Sequence, residues 1–115
     1  MKNIKTLKKN YEFKKVFQKG KIYIGKNIKI YISKNNMEEN RIGIAVSVKS
    51  DKAVKRNRIK RIIRENYRLI NSNLKKGYNI IFLWNKNSDI DKMNFKIIEE
   101  DVIKIFEKAD MFIGK

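Results

Sequence analysis

The stretch Lys52-Ala-Val-Lys-Arg-Asn-Arg-Ile-Lys-Arg-Ile-Ile-Arg-Glu65 is densely basic, and its apolar residues recur with the period of a helix. With the residues after it, this stretch predicts a helix over about 52–73, with Ser50 or Asp51 as the N-cap. On a helical wheel at about 100° per residue, one arc is apolar: Ile59, Ile62, Ile63, Tyr67 and Ile70. The opposite side, called here the basic stripe, holds Asn57, Lys60, Arg61, Arg64 and Arg68.

The basic stripe indicates a surface for phosphate groups. Glu65 is the only acid in this helix, so we expect the stripe not to be neutralised by pairs of residues four apart. Guanidinium groups bind phosphate oxygens well, which favours phosphate binding by this stripe. The alternative is that the basic residues are only solvated.

One strand is predicted before this helix and another after it. Over Arg41–Lys49, one face is apolar (Ile42, Ile44, Val46, Val48), and the other consists of the small residues Gly43, Ala45 and Ser47. A face of small residues admits the close approach of a helix or an extended ligand. The continuous apolar run Tyr78–Trp84, after Gly77, predicts a central strand covered on both faces.

The N-terminal region predicts a helix and then alternating strand residues. Asn10 is the expected cap of a helix that ends at Lys19, before Gly20. Its apolar stripe is Phe13, Val16 and Phe17, and composition alone leaves open whether the two phenylalanines are core residues. Residues 21–33 alternate as one strand, or as two bent at Gly25. We expect one face to be core (Ile22, Ile24, Ile28, Ile30, Ile32). The other face carries Tyr23, Lys29 and Tyr31. This face either binds unstacked bases or is simply solvated.

The C-terminal region predicts a last helix that Asp91 or Asn94 caps and that extends to about Ala109. Its packing stripe is Ile98, Val102, Ile105, Phe106 and Ala109, and we expect residues 111–115 to be loose. The pattern therefore predicts an α+β sandwich in one domain, 1–115, with the order α-β-β-α-β-α and room for one more short strand.

The composition excludes several classes of chemistry. The chain has 115 residues, a net charge of +17, and no His, Cys or Pro. It therefore cannot form a thiolate zinc site, a Ser-His-Asp triad or a histidine pair that cleaves RNA. The consecutive Glu99, Glu100 and Asp101 diverge by about 100° per residue on a helix and cannot converge on paired metal ions. We predict no catalytic residue and no metal site in the protein.

The charge points to a polyanionic partner: nucleic acid, an anionic membrane surface or an acidic protein. No apolar stretch approaches the roughly 20 residues of a spanning helix, and no signal core follows the basic N-terminus, so we expect a cytoplasmic protein with no membrane partner. A helix-turn-helix needs a helix directly before the recognition helix, whereas here a strand precedes it. RNA is thus favoured over DNA.

The stretch Lys52–Glu65 closely resembles the signature Ala-Val-x-Arg-Asn-x-x-Lys-Arg-x-x-Arg of the bacterial ribonuclease P protein family. The segments Leu7–Gly20, Arg41–Lys49 and Gly77–Phe82 resemble the family's first helix and the strands before and after the signature. The resemblance implies the order α-β-β-β-α-β-α, a fold related to a ribosomal-protein domain, and a left-handed β-α-β crossover. It also implies a monomeric protein in a complex of one protein with one ribonuclease P RNA. That complex removes the 5′ leader from precursor tRNA, with catalysis and Mg²⁺ belonging to the RNA.

The resemblance also implies two sets of binding residues. The first, expected to face the RNA subunit, comprises Arg56, Asn57, Arg58, Lys60, Arg61 and Arg64, with Arg68 at the end of the stripe. The second, expected to bind the precursor leader, comprises the aromatic residues Phe13, Phe17 and Tyr31 and the polar residues Lys26, Ser47 and Lys49. At least one of the two phenylalanines should then be partly exposed. The rival interpretations are a structural RNA-binding protein of the ribosome and a stand-alone nuclease.

Overall fold

Three α-helices pack on the two faces of one five-stranded sheet in a computed structural model, which describes residues 4–49 and 51–114. The strands are β1 (Lys5–Thr6), β2 (Lys21–Ile24), β3 (Ile28–Lys34), β4 (Arg41–Ala45) and β5 (Tyr78–Trp84). The helices are α1 (Asn10–Lys19), α2 (Ala53–Ile70) and α3 (Phe95–Lys108), with 3-10 turns at Asn71–Asn73 and Ile90–Lys92.

The sheet is mixed, and its strand order is β1-β4-β5-β3-β2. β4 runs parallel to both β1 and β5, while β3 runs antiparallel to β5 and β2. The parallel pair β4 and β5 is joined by α2, as a parallel connection requires a crossover. β5 lies at the centre of the sheet, as its continuous apolar sequence predicts.

Alternate residues of β5 pack on opposite layers. Ile80 and Phe82 belong to the main core, which includes residues of α2 and α3. Ile81 points to the other face, where it packs with Leu7 and with Val16 of α1. All three β5 residues are buried, so both faces of this strand exclude water. The two layers leave the outer side of α2 and the uncovered part of the α1 face available to partners.

The alternating segment forms two strands, and its first strand is not part of the core. Gly25 N–H donates to the carbonyl of Ile28 (2.8 Å) in the turn that joins β2 to β3. The pairing then sets Ile22 opposite Tyr31 and Tyr23 opposite Ile30. Directly paired residues share a face, so the expectation that Ile22 and Ile24 are core is wrong, as is the grouping of Tyr23 with Tyr31. The turn shifts the phase of the alternation by one residue.

Several predicted element ends are also corrected. The N-cap of α1 is Lys9 rather than Asn10, and that of α2 is Lys52 rather than Asp51, whose Oδ1 accepts from the Lys52 N–H at 2.8 Å. Ser50 lies outside the described residues. Asn94 caps α3, accepting from the Ile97 N–H at 2.9 Å. β4 ends at Ala45, so Val48 is exposed rather than on the core face.

The two ends of the chain contain structure that the sequence pattern did not predict. The short strand β1 precedes α1 and pairs with β4. From α1 onward, the order α-β-β-β-α-β-α implied by the resemblance is confirmed. Residues 111–113 are held against the body: Met111 is buried, and the Ile113 N–H donates to the Asn73 carbonyl at 2.8 Å. The prediction of a loose C-terminus is therefore wrong for these residues, while Lys115 lies outside the described part of the chain.

Candidate nucleic-acid interface

The two sides of α2 differ as the helical wheel predicts. Ile59, Ile63 and Tyr67 are buried in the main core, whereas Arg61 and Arg64 are exposed on the opposite side. The apolar arc therefore holds the helix on the protein, and the basic stripe faces outward along several turns. Asn57 is exposed and Lys60 partly exposed on the same side.

Cations in the first turns of α2 make contacts within the protein. Arg56 donates to the carbonyls of Val48 (3.2 Å) and Asp51, and Arg58 donates to those of Ile90 (3.2 Å) and Met93 (2.6 Å). These bonds tie α2 to the segments before it and after β5. The two arginines thus help to position the helix, and part of their donor capacity is used before any RNA binds.

Lys55 has a similar internal role. Its Nζ lies 2.8 Å from Asp91 Oδ1, and this contact raises the pKa of Lys55 above its ordinary value. The charge of Lys55 is therefore paired next to the two arginines that anchor the helix. The outward-facing cations of the signature, Lys60, Arg61 and Arg64, begin one turn later.

The far end of the basic stripe is partly neutralised by a pair that the expectation about residues four apart does not cover. Arg68 Nε donates to Glu65 Oε1 at 2.6 Å, and this pairing raises the pKa of Arg68. The two residues are three positions apart, a spacing that also brings charged side chains together on a helix. Strong phosphate-binding potential is therefore concentrated at Lys60, Arg61 and Arg64.

An aromatic cleft lies on the α1 face of the sheet, and it depends on one glycine. A Cβ built on Gly43 would come within 2.5 Å of two ring carbons of Phe13, so the ring lies directly over the β4 backbone. This is the close approach that the small-residue face of β4 predicts. Phe17, one helical turn later, is 38% exposed, and its ring meets that of Tyr31 edge-on at a centroid distance of 4.8 Å. One phenylalanine of the pair is thus available to a ligand, as the resemblance implied.

The cleft and the basic stripe meet at the edge of β4. A cavity of about 280 Å³ is lined from both sides, by Phe13 and Gly43 on one side and by Lys60 and Arg64 on the other. Aromatic surface and cationic groups therefore line a continuous opening, which suits a strand with bases and phosphates. The sequence placed these groups on separate elements without showing that they adjoin.

A row of side chains crosses the open part of the same face. Strand pairing aligns Ala45 with Leu83, Leu83 with Lys29, and Lys29 with Ile24, one residue from each of four strands. None of the four is fully buried. We call these four residues the floor row. The sequence does not predict this row, because simple alternation places Ile24 on the face of Ile28 and Ile30.

The polar residues expected near the cleft lie at the two sides of the floor row. Ser47 and Lys49 are exposed after β4, where the Lys49 N–H donates to Ser47 Oγ at 3.2 Å. Lys26 lies in the β2–β3 turn beyond the other end of the row. The N–H groups of Lys26 and Asn27 donate to the carboxylate of the buried Asp101, at 3.3 and 2.6 Å, which fixes this turn on α3. The six residues predicted to bind the leader therefore surround one face of the sheet.

Glu12 fixes the start of α1 beside β4. Its Oε1 accepts from the N–H groups of Lys8 and Lys9, each at 3.0 Å, and its Oε2 lies 3.6 Å from Arg41 Nη1. The hydrogen bond from Lys9 is the largest cause of the lowered pKa of Glu12, followed by that from Lys8. These contacts stabilise the ionised carboxylate and connect the start of α1 to Arg41 of β4.

The family model described as Ribonuclease P matches residues 1–110. The chain belongs to the Ribonuclease P family. Relatives named "Ribonuclease P protein component" include one from Clostridium botulinum (strain Langeland), 42% identical over 107 residues, which covers 92% of this chain and 95% of the relative. Another, from Caldanaerobacter subterraneus subsp. tengcongensis, is 38% identical over 109 residues, with 95% and 92% covered.

Solved structures of ribonuclease P proteins have the same fold. The Staphylococcus aureus protein superposes with a TM-score of 0.84 at 29% identity over 96% of this chain and 99% of that chain. The Thermotoga maritima protein gives 0.82 at 26% identity over 90% and 96%. Family members are the protein component of an endoribonuclease that processes tRNA, so this chain has an RNA partner.

Residues 4–49 and 51–114 contain neither a cluster of metal-ligating side chains nor a membrane-spanning helix. No group of three or more Asp, Glu, His or Cys side chains there is arranged to hold a metal ion. In the same described residues, no helix has the length and apolar character needed to cross a bilayer.

Proposed function

We propose that this chain is the protein subunit of a ribonucleoprotein with one ribonuclease P RNA, in the cytoplasm, and that it binds the 5′ leader of precursor tRNA. The outer side of α2 binds the RNA subunit through Lys60, Arg61 and Arg64, with Asn57 beside them. The cleft of Phe13, Phe17 and Tyr31 binds the leader. Removal of the leader is then carried out by the RNA with its Mg²⁺, and the protein holds the substrate.

The observation that carries this proposal is the cavity shared by Phe13, Gly43, Lys60 and Arg64. It joins an aromatic surface for unpaired bases to cations for phosphates. A single-stranded leader and the folded catalytic RNA would therefore meet along one edge of the protein. Single-stranded nucleic acid is bound in this way, by stacking platforms beside basic grooves.

A three-part cleavage assay tests the proposal. Precursor tRNA is incubated at low Mg²⁺ with the protein alone, with ribonuclease P RNA alone, and with both. We expect cleavage at the 5′ end to be much faster with both than with the RNA alone, and absent with the protein alone. Cleavage by the protein alone would indicate a nuclease, whereas no effect on the RNA-catalysed reaction would leave a structural RNA-binding protein.

A further inference from the structure

The edge strand β2 exposes two isoleucines on the face that carries the leader cleft. Ile24 is 65% exposed and Ile22 is 40% exposed. Pairing with β3 places Ile22 directly opposite Tyr31, and Ile24 opposite Lys29. The apolar surface therefore continues from the Phe17–Tyr31 contact across Ile22 to the edge of the sheet, with Ile24 at the end of the floor row.

A basic cavity begins where this apolar surface ends. The cavity, of about 310 Å³, is lined by Ile24 together with Lys26 from the β2–β3 turn and Lys104 and Lys108 from α3. Glu100 and Asp101 also line it. Both carboxylate oxygens of Asp101 accept from the turn N–H groups described above, and the three lysines of the lining outnumber its two carboxylates.

We propose that a leader long enough to extend beyond the aromatic cleft continues over Ile22 and Ile24 and brings its phosphates to Lys26, Lys104 and Lys108. This outer leader site rests on the proposed function, which it extends toward the 5′ end of the substrate. The isoleucines pack against base or sugar faces, and the ammonium groups neutralise phosphates without reading sequence. The chain would thereby favour precursors with longer leaders.

The features of this edge fit RNA better than a second copy of the chain. An exposed sheet edge with apolar residues can pair with another protein, and flanking lysines are a common means of preventing it. Here Lys21 and Lys26 lie at the two sides of the exposed pair, and Lys21 Nζ lies 5.5 Å from the centroid of the Tyr23 ring. At a net charge of +17, two copies also repel each other, whereas a polyanion is attracted.

The test measures holoenzyme affinity for precursors whose leaders are extended one nucleotide at a time. Phe17→Ala should weaken binding as soon as the leader reaches the cleft. Ile24→Ser should lower the affinity only for precursors with longer leaders. The expected loss is about fivefold, for the lost contact of one isoleucine side chain. Lys104→Ala should act on the same longer leaders and should lower the salt dependence of binding, the slope of log Kd against log[salt], by about one unit.

Two matched variants serve as controls. Ile113→Ser changes an isoleucine that is 57% exposed on the C-terminal segment, away from the sheet edge. Lys96→Ala removes an exposed lysine from the first turns of the same helix as Lys104. Neither should change affinity at any leader length, and melting curves of all variants should resemble that of the unmodified protein.

The possible outcomes separate the outer site from the cleft. If Ile24→Ser and Lys104→Ala lose affinity only for precursors with longer leaders, the outer site is supported. If Ile24→Ser and Lys104→Ala bind every leader normally while Phe17→Ala does not, the outer site is wrong and the cleft stands. If Phe17→Ala also binds every leader normally, the proposed leader cleft itself fails. Equal weakening of mature tRNA, or conversion of a wild-type dimer to a monomer by Ile24→Ser, would assign the isoleucines to another role and overturn the outer site.

Discussion

The ring of Phe17 meets the ring of Tyr31 edge-on, with centroids 4.8 Å apart and an angle of 87° between the planes. The contact joins α1 to β3 on the one face of the sheet that is not covered by α2 or α3. Because Phe17 remains 38% exposed, the pair presents an aromatic edge to a ligand.

Replacing Phe17 tests whether this pair binds the leader. Phe17→Ala should weaken the binding of precursor tRNA to the holoenzyme by about 1–3 kcal/mol, the usual contribution of one stacked base. Binding of mature tRNA, which has no leader, should hardly change. The measurement is the ratio of the two affinities, with a melting curve beside it. An unchanged ratio together with a collapsed melting temperature would return Phe17 to the core.

The two sides of α2 should respond differently to truncation. Arg61→Ala should weaken binding to the RNA subunit and leave the melting temperature nearly unchanged, since this side chain is exposed. Ile63→Ala should cost about 2–5 kcal/mol of the free energy of unfolding, because it opens a cavity in the core. Equal losses of stability in the two variants would contradict the placement of the basic stripe on the outer side.

Gly43 should tolerate no side chain while Phe13 lies over it. Gly43→Ala forces the ring away from the strand, because the added Cβ would lie 2.5 Å from two ring carbons. We expect a loss of about 1–3 kcal/mol in the free energy of unfolding, as for other overpacked sites. The control is a double-mutant cycle with Phe13→Ala, in which the second substitution should cost far less. Additive losses would show that the clash is not with Phe13.

Binding to the RNA subunit should weaken steeply as salt increases. Each neutralised phosphate releases counterions, so log K should fall linearly with log[salt], with a slope of several units. Arg64→Ala should lower this slope by about one unit. Arg68→Ala is the informative comparison. Because Arg68 is already paired with Glu65, its substitution should change the slope less than Arg64→Ala does. An affinity that does not depend on salt would be inconsistent with a phosphate-binding stripe.

Glu12 should make stability depend on acid pH. Its pKa is lowered in the folded protein, chiefly by the hydrogen bond from the Lys9 N–H. Its stabilising contribution is therefore present above its ordinary value of 4.5 and is lost as the pH falls through the lower folded value. Glu12→Gln should lower the melting temperature at neutral pH and flatten its decrease in acid. Parallel melting-temperature curves for the two proteins over the acid range would show that this carboxylate is not the cause.

Local patterns determined much of this protein. The helical period around Arg61 separates a buried from a basic side, and this separation depends only on spacing along one helix. The apolar run Tyr78–Trp84 forms the central strand, because its middle residues Ile80, Ile81 and Phe82 can be buried on both faces only there. The small residue Gly43 predicted that a neighbouring group approaches the β4 backbone closely. It did not indicate that this group is the ring of Phe13.

Tertiary structure decided what spacing cannot encode. The turn after Gly25 shifts the strand phase by one residue, so Ile22 and Ile24 lie beside Tyr31 although they alternate in step with the core residue Ile30. The carbonyls that occupy Arg56 and Arg58 come from segments before and after α2, so the difference between these arginines and Arg61 appears only after packing. The meeting of Phe13 with Arg64 around one cavity likewise depends on the placement of two helices across an edge of β4. Periodicity reports which residues of one element share a side, whereas turn geometry and long-range packing determine what that side faces.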